Sequence, residues 1–232
     1  MDLLMFLLRW IHFLAGITWI GILYYFNFVQ TPFFAEADPG VRSAAIQKLV
    51  PRALWWFRWG AMFTFLAGIL MYLELFHRYG SAFLTLNQGI AITIGGVLGT
   101  LMFLNVWLVI WPAQKVVIAS ATQVAQGGQA IPEAAGRARR AALASRTNTV
   151  FSIPMLFYMG ASSHYAIVAG QTTASAATSI LVIAGLVIAA VEINALSGTQ
   201  GPTKKPLDSV SGALWFGFIL AAVLWVIVAA LA

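Results

Sequence analysis

VSGALWFGFILAAVLWVIVAAL, residues Val210 to Leu231, contains no charged side chain and a single hydroxyl. Wound as an α-helix at 1.5 Å per residue, it would reach about 33 Å, slightly more than the ~30 Å hydrocarbon core of a bilayer. It offers no polar face to water, so it reads as a membrane span.

Working outward, five further stretches meet the same rule: Leu3 to Val29, Trp56 to Phe76, Gly89 to Trp111, Thr149 to Val168, and Thr178 to Leu196. Helices are expected because a lone span in lipid must satisfy its backbone internally. Composition agrees. Of 232 residues, 61% are hydrophobic and 9% are charged, so the chain could not cover a water-facing surface with polar groups. A soluble domain carries roughly 25% charged residues. The expected fold is therefore all-α: one transmembrane domain over 1–232, a polytopic bundle of about six spans. Pro154 lies one turn inside the fourth stretch and is expected to kink it or delay its start.

Cysteine is absent. That excludes disulfides, thiolate metal sites, iron–sulfur clusters and covalently attached c-type haem within this chain. The net charge of +6 would suit a nucleic-acid partner only if the cations were clustered for one. Their distribution points to a membrane instead. Arg42, Lys48, Arg52 and Arg58 lie in or beside the first loop, Lys115, Arg137, Arg139, Arg140 and Arg146 in or beside the third, and Lys204 and Lys205 in the fifth. This puts 11 of the 13 basic residues on one side, with Arg9 and Arg78 towards the other. The positive-inside rule makes the odd loops cytoplasmic and sends both termini outward. The expected location is the bacterial inner membrane, crossed several times, with the termini on the periplasmic side. The N-terminus lacks the basic lead and small-residue cleavage site of a signal peptide, so the first apolar run is expected to be retained.

The loops carry their own signals. Pro51 suits the start of a helix, and Trp55, Trp56 and Trp59 form an aromatic cluster at its membrane entrance. Val41 to Leu49 is expected to form a short helix on the membrane surface. Gln114 to Gln126 can prolong the third helix past Pro112, Gly127 and Gly128 break it, and Pro132–Glu133 open a basic helix leading to the fourth span. Together these predict a cytoplasmic helical hairpin, against the alternative of a mobile basic loop touching anionic lipid. Phe13–Ile17 and Phe65–Ile69 both spell FLAGI, a recurrence that common membrane residues produce by chance.

Polar groups at membrane depth are costly, which makes each one a candidate site. His12, Glu74, His77, Asn105, His164, Glu192 and Asn194 are the candidates. At helical rise, His12 lies about 13 Å and His164 roughly 9 Å below the outer edge of their helices, which run in opposite directions. Two imidazoles at matched depth on facing helices can hold a b-type haem or a metal. Gly16 and Gly160, each one turn away, would let a flat macrocycle approach, though they would equally serve helix packing. His77 is an alternative ligand, or an interfacial imidazole beside Arg78, and Glu74 is a ligand neighbour or simply hydrated. Asn105, Glu192 and Asn194 form a second polar cluster towards the cytoplasmic side. That cluster would bind a polar substrate, pass protons, or pair with Arg58 or Arg146, the last being favoured. Trp107 and Trp111 read as interface anchors.

Three segments carry a resemblance. Asn105–Lys115 (NVWLVIWPAQK), Ala144–Leu156 (ASRTNTVFSIPML) continuing to the GASSH that ends at His164, and Trp10–Gly21 (WIHFLAGITWIG) are similar to the membrane domain of bacterial membrane-bound urate hydroxylases, also called the urate oxidase N-terminal domain. The resemblance implies a urate-oxidising oxidoreductase, or a relative that kept the scaffold. Relatives commonly carry a c-type cytochrome domain after the membrane domain, and this chain has no CxxCH, so the electron acceptor is expected to be a separate cytochrome. His12, Asn105, Arg146, Asn148 and His164 fall inside the matching segments, and the catalytic residues stay unassigned. Two other functions remain open: a non-catalytic accessory subunit of a larger respiratory or photosynthetic membrane complex, and a small-solute transporter. The transporter lacks an evident inverted repeat.

Overall fold

The computed structural model describes residues 3–232, and among them the chain is all-α apart from one isolated β-bridge between Leu86 and Gln171. Helix α1 spans Leu3–Glu36 and α2 spans Pro39–Lys48. Helix α3 runs Val50–Tyr79 and ends in a 3-10 turn at Gly80–Thr85. Helix α4 covers Asn87–Ala125, α5 Ala134–His164, α6 Ala174–Leu196 and α7 Val210–Leu231. A 3-10 segment, Pro202–Asp208, links the last two.

Five helices are long and apolar enough to cross a membrane: α1, α3, α4, α6 and α7. They turn large apolar side chains outward; Leu186, Trp215 and Leu3 are 66–69% exposed, which only a lipid environment would favour. Helix α5 falls short in hydropathy, and its position gives the reason. It packs against α1, α4, α6 and α7, so neighbouring helices rather than lipid meet most of its surface. Thr147, Asn148, Thr149 and Ser152 are all fully buried on it. A helix enclosed by protein can carry polar residues that a lipid-facing helix cannot.

Pro154 does not delay the start of this helix, the second of the two expected effects: α5 begins twenty residues before it, at Ala134, and continues to His164. It also stops four residues short of the expected Val168. The proline leaves the carbonyl of Val150 without its helical donor. Gly217 of α7 packs there, where a Cβ would sit 2.9 Å from that oxygen. The two long helices with kink signals adjust differently. A π turn at Tyr25–Gln30 precedes Pro32, and another at Asn105–Ile110 precedes Pro112. In each, the residue after the turn donates to the carbonyl five back, which shifts the register before the proline and lets the helix run on.

The predicted hairpin is present. Helix α4 continues to Ala125, the chain turns at Gln126–Gly128, and α5 returns alongside, with Ser120 Oγ accepting from the Ile131 amide at 3.0 Å. A short helix is present here as α2, Pro39–Lys48 against the expected Val41–Leu49, and it packs on both α3 and the Trp111–Ala125 part of α4. This end of the bundle, with the hairpin and the Pro202–Asp208 segment, is the basic end. At the opposite end, Asn87 Oδ1 accepts from the amides of Ile167 and Val168, pinning the α5–α6 loop to the start of α4.

Candidate functional site

Two regions inside the bundle depart from simple apolar packing. The first is a groove of about 780 Å³ in the half away from the basic end, walled by α1, α3, α4 and α5. Glycines open it: Gly16 and Gly21 on α1, Gly68 on α3, Gly96 and Gly99 on α4. Trp19, Phe65 and Tyr72 supply aromatic faces, and Met155 and Met159 supply flexible thioethers from α5.

His12 is the groove's imidazole. Its Nδ1 lies 2.9 Å from the carbonyl oxygen of Thr64 on α3. A carbonyl can only accept, so Nδ1 carries the proton and donates it. This fixes the neutral tautomer and leaves Nε2 with a free lone pair, the arrangement of a histidine ready to bind a metal centre or accept from a ligand. The ring can approach α3 this closely because residue 68 is glycine; a Cβ there would be 3.1 Å from His12 Cε1.

His164 takes no part in the groove. It is the last residue of α5, exposed, and does not line the cavity. Equal depth therefore does not bring it and His12 to one opening. His77 is exposed in the last turn of α3, and Glu74 forms a salt bridge with Arg78 at 2.6 Å, one helical turn on. Among the described residues no three His, Cys, Asp or Glu side chains are grouped so as to hold a metal ion.

The second region is a buried polar layer nearer the basic end. Asn105 Nδ2, at the start of the α4 π turn, donates to Glu192 Oε2 on α6 at 3.1 Å and to Asn148 Oδ1 on α5 at 3.0 Å. Asn148 Nδ2 donates in turn to the carbonyl of Met102 at 3.0 Å. A second set joins α1 to α5: Arg146 Nε donates to Asn27 Oδ1 at 2.8 Å, and Asn27 Nδ2 donates to Ser145 Oγ and to the Leu23 carbonyl. Tyr24 and Ser152 hydroxyls meet at 2.9 Å.

The polar candidates thus separate. Asn105 and Glu192 are joined, whereas Asn194 turns away to the Thr203 carbonyl and to Lys204. Neither arginine forms an ion pair with Glu192: Arg146 binds Asn27, and Arg58 lies over the Trp111 ring at 4.0 Å. Trp111 is consequently a platform for a guanidinium as well as an anchor. Asn27 and Asn148 escaped the sequence reading as members of this layer. The usable signal is that Asn27, Asn105 and Asn148 each precede a proline on the same helix by five to seven residues.

A bundle with lipid-facing flanks, a polar central helix and a buried amide–carboxyl layer defines a polytopic helical membrane protein with an internal site. Its family follows from comparison. A family model described as "Urate oxidase N-terminal" matches residues 86–222, more than half of the chain, and the protein belongs to that family. The match takes in two of the three resembling segments and all of the polar layer except its α1 members. It leaves out Trp10–Gly21 and with it His12. No curated protein and no solved structure matches the chain.

Proposed function

We propose that this chain is a redox protein of the bacterial inner membrane that holds haem b in the glycine-lined groove, with His12 as an axial ligand. The observation that carries the reading is the Nδ1–H bond from His12 to the Thr64 carbonyl, which reserves Nε2 for a ligand. The donor set favours haem over a bare metal ion. A single imidazole cannot hold a metal by itself, whereas a porphyrin brings four nitrogens of its own and needs one or two from the protein. Mostly apolar walls with a few oriented polar groups, His12 among them, also suit a largely hydrophobic cofactor.

In this reading the chain's residues do three things. Thr64 holds the imidazole in one tautomer and one orientation. Gly16, Gly68, Gly96 and Gly99 keep the walls clear of side chains. Met155 and Met159 close the α5 side against water and offer thioether sulfurs towards the same space. The bound group would supply one-electron transfer within the bilayer. Family membership supports urate as the electron donor, with a separate c-type cytochrome as the acceptor in this reading. In this reading α5 makes a sixth, protein-enclosed crossing, and the charge distribution supports cytoplasmic odd loops.

The test is the absorption spectrum of protein purified from membranes. A Soret band is expected in the wild type, and it should fall to the level of free haem in His12→Ala while His164→Ala keeps it. A purified protein with neither a Soret band nor stoichiometric iron would overturn the assignment.

A further inference from the structure

At the basic end, α5, the end of α6 and the Pro202–Asp208 segment bring cations together without matching anions. Arg146 is 8% exposed and Lys204 only 2%, and buried charges ordinarily have an ionic partner. Neither makes an ion pair among the described residues. The one carboxylate in ion-pair contact with this group, Asp208, is already bound to Arg139 at 2.8 Å. Arg146 lies within electrostatic reach of Arg139 and Asp208, and Lys204 within reach of Arg139 and Arg140. Arg139 is therefore the hub of a four-cation cluster served by one acid.

The cations are also under-bonded. Arg146 uses Nε on Asn27, but its Nη1 is fully buried with no acceptor. The Lys204 ammonium has a single distant contact, Asn194 Oδ1 at 3.4 Å. Arg139 spends Nε on the Thr199 carbonyl and Nη2 on Asp208, and Arg140 spends Nη1 on the Leu196 carbonyl. A guanidinium has five N–H donors in a planar fork, so most of this donor capacity is unspent.

We propose that Arg139, Arg140, Arg146 and Lys204 form a receptor for a phosphate-type oxyanion. Such a ligand presents several charged acceptor oxygens at once, which matches forked and point-charge donors supplied by one helix and the neighbouring loop. Its source is either the headgroup of an anionic lipid, since basic pockets between membrane helices take acidic headgroups, or a free phosphate. The site is separate from the His12 groove and does not depend on haem.

The experiment follows thermal unfolding of the full chain in phosphate-free detergent, at constant ionic strength set with chloride. Inorganic phosphate is added in one arm, and phosphatidylglycerol or phosphatidylcholine in the others. A ligand that binds the folded state raises the midpoint in a saturable way. A rise with phosphatidylglycerol alone identifies the lipid headgroup as the source; a rise with inorganic phosphate as well identifies free phosphate as sufficient. In both cases Lys204→Gln and Arg140→Gln should need at least tenfold more ligand for the same shift. Arg146→Gln should weaken it further, and if that variant does not fold, Lys204→Gln and Arg140→Gln decide. No rise with either phosphate source, an equal rise with phosphatidylcholine or chloride, or variants that respond like wild type would overturn the proposal.

Discussion

The groove and the polar layer lie in the same bundle and respond to the loss of water in opposite ways. Around His12 the chain removes side-chain volume: three of the four helices that meet there present glycine, and the one imidazole is held in a fixed orientation. Around Asn105 and Asn148 it adds polar links, tying α4, α5 and α6 together through side chains that water does not reach. Hydrogen bonds between membrane helices fix rotation and register, because breaking one strands a donor in hydrocarbon. Removed volume fixes nothing by itself and leaves room. One region therefore specifies the bundle, and the other accommodates something within it.

The largest effect should come from breaking the specifying region. Asn148→Leu keeps the volume but strands one Asn105 Nδ2 hydrogen without its acceptor and removes the side-chain donor from the Met102 carbonyl, which keeps the Asn105 backbone N–H. A buried orphan donor costs about 1–3 kcal/mol, and a destabilisation of that size is expected. Unfolding of the detergent-solubilised protein measures it, and a variant as stable as wild type would show that the layer does not hold the helices.

Gly68→Ala probes the other region and should separate binding from stability. The new methyl would stand 3.1 Å from His12 Cε1 and 3.3 Å from Nδ1, so the ring must shift and its bond to Thr64 must lengthen. The groove can absorb the displaced ring, so the stability cost should stay within ~1 kcal/mol. Haem affinity, read as the Soret-to-protein ratio on titration, should fall on the order of tenfold, equivalent to about 1.4 kcal/mol. Equal affinity would mean that the orientation of His12 is irrelevant to the groove.

How much of this the sequence revealed depends on which coordinate each residue needed. Depth along a helix is legible, because 1.5 Å per residue converts position into height. Rotation about the axis is not. His12 and His164 matched in height, yet one faces a groove and the other ends an exposed helix. Asn105 and Glu192 matched in height and do meet, while Asn194, two residues on, points to a different side of α6. The π turns compound the difficulty, since each rotates the rest of its helix relative to an ideal one. The FLAGI pair is the reverse case. As a repeat it carries no weight, yet Phe13, Gly16 and Ile17 face Phe65, Gly68 and Ile69 across the same groove on adjacent helices. The five long apolar helices and the hairpin were legible because length, apolarity and glycine breaks set them locally; α5 was the least legible helix because its surroundings, not its own composition, make its polar residues tolerable there.

The smallest predicted effect links the polar half to solution pH. Lys204 sits in the segment between α6 and α7, outside the spans, and its ammonium is pushed below the usual lysine range, first by burial and then by Arg140 and Arg139. An unfolded lysine titrates near about 10.4. Between the lowered folded value and that figure, the unfolded chain holds more protons than the folded one, so stability must rise with pH across this window. Below it the full penalty of the buried charge is present. Lys204→Met removes the titration, and the difference in unfolding midpoint between the variant and wild type should therefore shrink as pH rises towards about 10. An oxyanion bound at the cluster supplies the missing partner and raises the folded value again, so saturating phosphate should flatten the trend. A difference that grows with pH would mean that Lys204 is stabilised by its charge, and that the cluster already contains the anion it needs.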